Sequence, residues 1–213
     1  MKQSNSPSEQ EIETIGKNWD LFKKLSTKIT DNKNVSSLVE LLEQERTFLI
    51  TPYSTRTEYT GCYHGGLLEF SLRLTEKLIT LKKQVFDKYP EITNNSLLLI
   101  GLFGSIGKTG LTEDKPYYIP QTNDWHLKQG NKFIINPELS HFPVSQLTLF
   151  KLTEHGISLT PEEWYVINAV HSSKDDQVIT HIKDHQPELL LIVKQGMELA
   201  SLQLKNKIVT GSL

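Results

Sequence analysis

The chain has a single cysteine, Cys62, among 213 residues. One thiol excludes an internal disulfide and any cysteine-based zinc site built from one chain. Arginine is nearly as scarce. Only Arg46, Arg56 and Arg73 occur, and lysine supplies the rest of the 23 basic residues, against 25 acidic ones. The net charge of -2 gives no polycation signature. Arginine is the preferred fork for phosphates and bases, so strong nucleic-acid binding is not expected, while weak binding to a lysine patch stays open. No apolar run approaches the length of a membrane span. The opening MKQSNSPSEQEIE lacks the apolar core of a signal peptide. These absences point to a cytoplasmic protein without membrane contact. Nor is there an internal repeat or a domain-scale linker, and a chain of this length buries a sizeable core without staples.

What is present is mostly helical patterning. Residues 1–8 read as a disordered tail, followed by one domain over residues 9–213. Ile12, Ile15, Trp19, Leu21, Phe22 and Leu25 recur at helical spacing from Glu9 to about Ile29. Asn34–Leu49 predicts a second helix, and Thr51–Tyr63 a connector rich in turn formers. Residues 65–88 give the clearest helix, and Asn94, Asn95 and Ser96 can cap the next, through Ile100. The pattern then changes: Tyr117–Ile119 and Phe133–Ile135 suggest two short strands joined as a hairpin. Helical spacing returns from Pro143 to about Glu154. At Thr160-Pro161-Glu162-Glu163 a cap, a first-turn proline and acids at the positive dipole end predict another start. A last helix is expected from about Pro187 to Leu204. The fold class is therefore all-α with a small β-hairpin insertion.

Three chemical constellations stand out. The run Gly101–Thr109 ends in GKT, the amides, lysine and hydroxyl that a phosphate loop needs. Its spacing is off: counting back from Gly107 puts Leu102 where the first glycine belongs, so a helix end followed by a turn competes with a P-loop-like nucleotide binder. His181 and His185 would share one helix face and could chelate a metal there, or simply form a solvated face. His64 precedes two glycines and reads as a loop residue. Glu69, Glu76, Glu162 and Glu163 form no paired-carboxylate motif, and no Gly-x-Ser-x-Gly nucleophile elbow occurs.

Several segments together resemble one family. The run Thr51-Pro52-Tyr53-Ser54-Thr55-Arg56, then Gly65-Gly66-Leu67-Leu68-Glu69-Phe70-Ser71-Leu72, is similar to the PASTR and GGLLEHSL motifs of small HD-domain metal-dependent phosphohydrolases of bacteria and phages. Leu102-Phe103-Gly104-Ser105-Ile106-Gly107-Lys108 is similar to their LFHDIGK. Tyr117–Pro120, Asp124–His126, Asn136–Leu139 and Gly156–Trp164 also fit, so that the likeness covers about Val35 to Leu204. The resemblance implies a helical bundle. It also implies that Phe70 stands where a ligating histidine belongs, Gly104 and Ser105 where the histidine–aspartate pair belongs, and Met197 where a last aspartate belongs.

Phenylalanine, glycine and methionine are not ligands for a hard or borderline divalent ion, and serine is a poor one. Without a metal, no bound water is acidified and no phosphoryl oxygen polarised. The expectation is a catalytically inactive relative with no cofactor and no metal, acting by binding a protein partner, another copy of itself, or a nucleotide weakly. Lys108, His126, His141 and His171 are the candidates for a residual pocket. An active phosphohydrolase with a rearranged histidine site is the alternative. Phe70 and Phe103 are expected to be buried, filling space that a metal centre vacated.

Overall fold

The computed structural model describes residues 6–171 and 187–210. The paired histidines His181 and His185 lie outside the described residues. The chain is all-α with one two-stranded antiparallel sheet. No described helix is long and apolar enough to cross a membrane.

Helix α1 (Glu9–Ser26) begins on a capping box. Ser8 accepts from the Glu11 amide, and the Glu11 carboxylate accepts from the Ser8 amide at 2.8 Å. Two of the orphan donors at the helix start are thereby satisfied. Ser8 thus belongs to the folded domain, not to the tail in which the sequence reading placed it. α1 buries Trp19 and Phe22. They join Phe48 and Phe103 in an aromatic cluster, with ring centroids 5.1 Å apart for Trp19–Phe22 and Phe22–Phe48 and 5.3 Å for Phe22–Phe103.

The single helix expected over Asn34–Leu49 is two. α2 (Val35–Glu45) and α3 (Thr47–Ile50) meet at Arg46, whose backbone is left-handed with φ 56°. The break redirects the chain so that Phe48 enters the core fully buried.

Helix α4 (Gly66–Gln84) lies at the centre, against α1, α3, α5 (Asn94–Phe103) and the last helix, α9 (Glu188–Thr210). Leu67, Phe70, Leu74 and Leu78 repeat at helical spacing and are buried on its inner face. α5 is apolar on nearly every side and is accordingly buried along its length from Ser96. A short 3-10 turn, Ile106–Thr109, follows it and packs on α7 (Val144–Glu154).

Strands β1 (Tyr118–Pro120) and β2 (Phe133–Ile135) pair with Tyr118 opposite Ile135. Their connection is not the plain hairpin loop read from the sequence. It contains a short helix, α6 (Asp124–Lys128), started by Asn123, whose side chain accepts from the amides of Trp125 and His126. α8 (Pro161–Val170) starts as its sequence predicts, with Thr160 and Glu163 in a second capping box.

Close helix contact explains one glycine. A Cβ at Gly101 would sit 2.4 Å from Thr75 Oγ1 and 3.0 Å from its Cα, so α5 meets α4 backbone to backbone. Gly101→Ala is expected to lower stability by about 1–3 kcal/mol, the usual cost of overpacking. Urea unfolding of the two proteins measures it.

Candidate functional site

The site is organised by a loop, not by a helix. After α3 the chain turns through residues 51–65, pinned where the Tyr53 amide donates to Gly61 O at 2.8 Å and the Leu67 amide to Thr51 O at 3.0 Å. Gly61, at φ 70°, lies so close that a Cβ there would be 2.6 Å from Tyr53 Cβ. This loop delivers the Tyr53 ring onto Phe70, with centroids 3.7 Å apart and planes 16° from parallel. Phe70 and Phe103 are both fully buried.

Lys108 approaches from the 3-10 turn. Its Nζ donates to Tyr53 O at 2.9 Å and to Tyr118 Oη at 3.0 Å, and lies 4.3 Å from the centroid of the Tyr53 ring. Tyr118 Oη also donates to Tyr53 O, at 3.2 Å. None of these partners is a carboxylate. Burial pushes the Lys108 ammonium down to about 8, because a charge taken out of water without a counter-ion favours its neutral form. Burial likewise holds the phenols of Tyr53 and Tyr118 above their ordinary range.

Ser105 and His171 complete the cluster. His171 Nε2 lies 3.1 Å from both Ser105 Oγ and Gly104 O. A backbone carbonyl only accepts, so the hydrogen sits on Nε2. The Ser105 side chain also lies near the Tyr53 phenol and offsets a little of the upward push that burial gives it. Burial, with Lys108 nearby, drives the His171 imidazole down to about 3, so the ring is neutral at ordinary pH.

The structure therefore brings Phe70, Gly104, Ser105, Lys108 and His171 together around Tyr53. Met197, on α9, is partly buried against the core. It lines a shallow surface cavity with Ser201 and Lys205, which themselves border the Lys108 cavity. His126 and His141 do not line the Lys108 cavity. His126 lies edge-on to Trp125 on α6, and His141 is exposed beside Phe142. The His64 ring packs edge-on against Phe133, 5.8 Å between centroids.

The sequence reading missed Tyr53 and Tyr118. For Tyr53 a signal existed: Tyr53 stands in Thr51–Arg56 where the PASTR pattern has alanine. Nothing in the spacing of Tyr118 points to Lys108, because the contact is set by the strand register.

Gly107 and Lys108 do not form a phosphate cradle here. The Gly107 amide donates to Thr148 Oγ1 at 3.0 Å, the Lys108 amide to Ser105 O and the Gly110 amide to Gly107 O. A Cβ on Gly107 would meet Val144 O at 2.4 Å, so this glycine serves the packing of the turn on α7. Among the described residues, no three His, Cys, Asp or Glu side chains are grouped to hold a metal ion.

Lys108 opens onto a cavity of about 360 Å³. Ser54, Thr60, Ser201 and Lys205 line it as well. Ser54 Oγ is buried and has no hydrogen-bond partner. The cavity thus offers two ammonium groups, the unpartnered Ser54 hydroxyl and no carboxylate, a composition suited to an anion.

Phe70→Ala should cost about 3–5 kcal/mol of unfolding free energy, the range for a buried phenylalanine, read by denaturant unfolding. His171 makes a separate prediction. The unfolded ring takes up its proton near 6.5 and the folded one only near 3. Its contribution to stability is complete above the higher value and is lost as pH falls towards the lower. His171→Gln should flatten that acid limb of a Tm-against-pH curve. No protein-family model, curated protein or solved structure matches the chain, so the functional reading rests on this geometry.

Proposed function

We propose that the protein is a catalytically inactive HD-like chain that binds a phosphate-bearing small molecule, such as a nucleotide, without metal. The observation that carries the reading is the environment of Lys108. Its ammonium is desolvated, bonded only to neutral oxygens, and opens onto a cavity that holds a second lysine and an unpartnered hydroxyl. A buried cation without a counter-ion is a standing cost that an anionic ligand removes. A phosphate has several acceptor oxygens and can use Lys108, Lys205 and the hydroxyls together.

The other half of the reading concerns catalysis. The HD resemblance puts Phe70, Gly104 and Ser105 at ligand positions. A stacked Tyr53–Phe70 pair and a neutral Ser105–His171 pair occupy that region. Neither supplies the carboxylate and imidazole set that would acidify a metal-bound water. His171 has its Nε2 hydrogen committed to Gly104 O or Ser105 Oγ, a positioning role within the fold.

Calorimetric titration with nucleoside mono- and triphosphates in the absence of metal tests the proposal. Binding is expected to be weak and salt-sensitive, since lysine supplies all the positive charge. Lys108→Met should abolish it. Affinity should fall as pH rises through about 8, where Lys108 gives up its proton. Silence from every nucleotide at millimolar concentration would sink the reading. Manganese-dependent phosphate release that disappears in His171→Ala would replace it with the catalytic one.

A further inference from the structure

A second and larger cavity, of about 610 Å³, runs along the outer seam of α1, α4 and α5, and nothing in the proposed function uses it. On α4 it is lined by Glu69, Leu72, Arg73, Glu76, Ile79 and Lys83, a stripe at i, i+3, i+4 and i+7 spacing on the face turned away from Phe70, with Thr75 and Thr80 beside it. α1 runs alongside in the same sense. Ile15 touches Gly65 at the start of α4, and Thr30, beyond the end of α1, bonds Asn95 at the start of α5.

The floor is apolar. Leu25, Leu72, Ile79 and Leu98 form it, and Leu21 stands 45% exposed at the lip. The two hydroxyls present are already spent, with Thr75 donating to Ser71 O and Thr80 to Glu76 O, each at 2.8 Å. The charges are sorted along the groove. At one end Arg73 sits 3.3 Å from Glu76 and 3.9 Å from Glu69, and Lys77 lies 3.6 Å from Glu76, so two carboxylates meet two cations and offset one another. At the other end Lys28 and Lys83 line the cavity with no ion-pair partner among the described residues.

Length and charge choose the occupant. The rise from Glu69 to Lys83 makes the groove roughly 20 Å long. An apolar floor of that length, ending at two ammonium groups without ion-pair partners among the described residues, is complementary to an extended apolar chain with an anionic head.

We propose that this groove binds a single-chain anionic amphiphile, with its acyl chain over Leu25, Leu72, Ile79 and Leu98 and its carboxylate between Lys28 and Lys83. The site is independent of the Lys108 cavity and of the HD resemblance.

The test is calorimetric titration of the full chain with dodecanoate and with dodecyltrimethylammonium, both below their micellar concentrations. Dodecanoate should saturate at one per chain and bind about tenfold more tightly than the cation, the effect of two exposed charge contacts. Lys28→Glu combined with Lys83→Glu should reverse that order, and both side chains are exposed, so folding is not at stake. Thr80→Trp, on the exposed lip, should block both ligands while circular dichroism stays unchanged. Equal binding of the two amphiphiles, binding without saturation, or indifference to the double variant overturns the proposal. So does a concentration-dependent dimer of the unliganded chain that Thr80→Trp abolishes, which would assign the groove to a second copy.

Discussion

The ammonium of Lys108 bonds the carbonyl of Tyr53 and the hydroxyl of Tyr118, and so joins the 51–65 loop, the turn after α5 and strand β1. The loop lies 55 residues before Lys108 and 65 before Tyr118 in the chain, so the contact ties together segments that local structure does not. A charge-assisted hydrogen bond in a half-buried setting is among the stronger individual contacts available. It is also a costly one to arrange, since the lysine has been desolvated without a carboxylate to repay it. The face of the Tyr53 ring recovers part of that cost, roughly 0.5–2 kcal/mol for a cation so placed. The arrangement holds the loop in place and leaves an electrostatic need on the side that faces the cavity.

Tyr53 has a second role that follows from the same placement. With its carbonyl held by Lys108 and Tyr118, its ring has one course open, onto Phe70. Two aromatic rings then fill a volume that small or absent side chains would leave as a void, at a cost near 24 cal/mol for each Å³. Gly104 contributes no side-chain bulk to this region, and Tyr53 contributes a whole ring. Ser105 and His171 show the polar counterpart. The His171 Nε2–H lies within reach of both Gly104 O and Ser105 Oγ, so the imidazole donor is not left unpaired in the interior.

How much of this is legible in the sequence depends on the range of the interaction. Thr160, Pro161 and Glu163 announce the start of α8 because capping is decided within one turn, and the structure has that cap. The inner stripe Leu67, Phe70, Leu74 and Leu78 is legible for the same reason. Arg46 is not. Nothing in its chemistry requires a left-handed backbone, and the break is imposed by the need to swing Phe48 into the aromatic cluster. α6 was hidden because five residues carry too little periodicity to register, and its start is set by a single Asn123 cap. The candidate pocket was half legible. Lys108 and His171 were singled out, while Tyr53 and Tyr118 act through backbone placement and strand register. His126 and His141 were attractive as residue types but sit at the surface or on a short helix, away from the Lys108 cavity.

Helix α4 shows how one element can serve two unrelated chemistries without conflict. Its 3.6-residue period separates two stripes. Leu67, Phe70, Leu74 and Leu78 face the core, and through Phe70 the Tyr53 loop. Glu69, Leu72, Arg73, Glu76, Ile79 and Lys83 face the groove against α1 and α5. The neighbours on the two sides also differ in kind. On the core side Phe70 meets a loop held by a lysine, where polar groups are few and each is paired. On the groove side Leu72 and Ile79 line a cavity walled by residues of α1 and α5. A monomer with spare sequence capacity would close such a gap by enlarging Leu21 or Leu25, at little cost on an exposed lip. Instead the apolar floor is left open between a neutralised end and a doubly basic one, and that polarity along the groove is what distinguishes it from an ordinary packing defect.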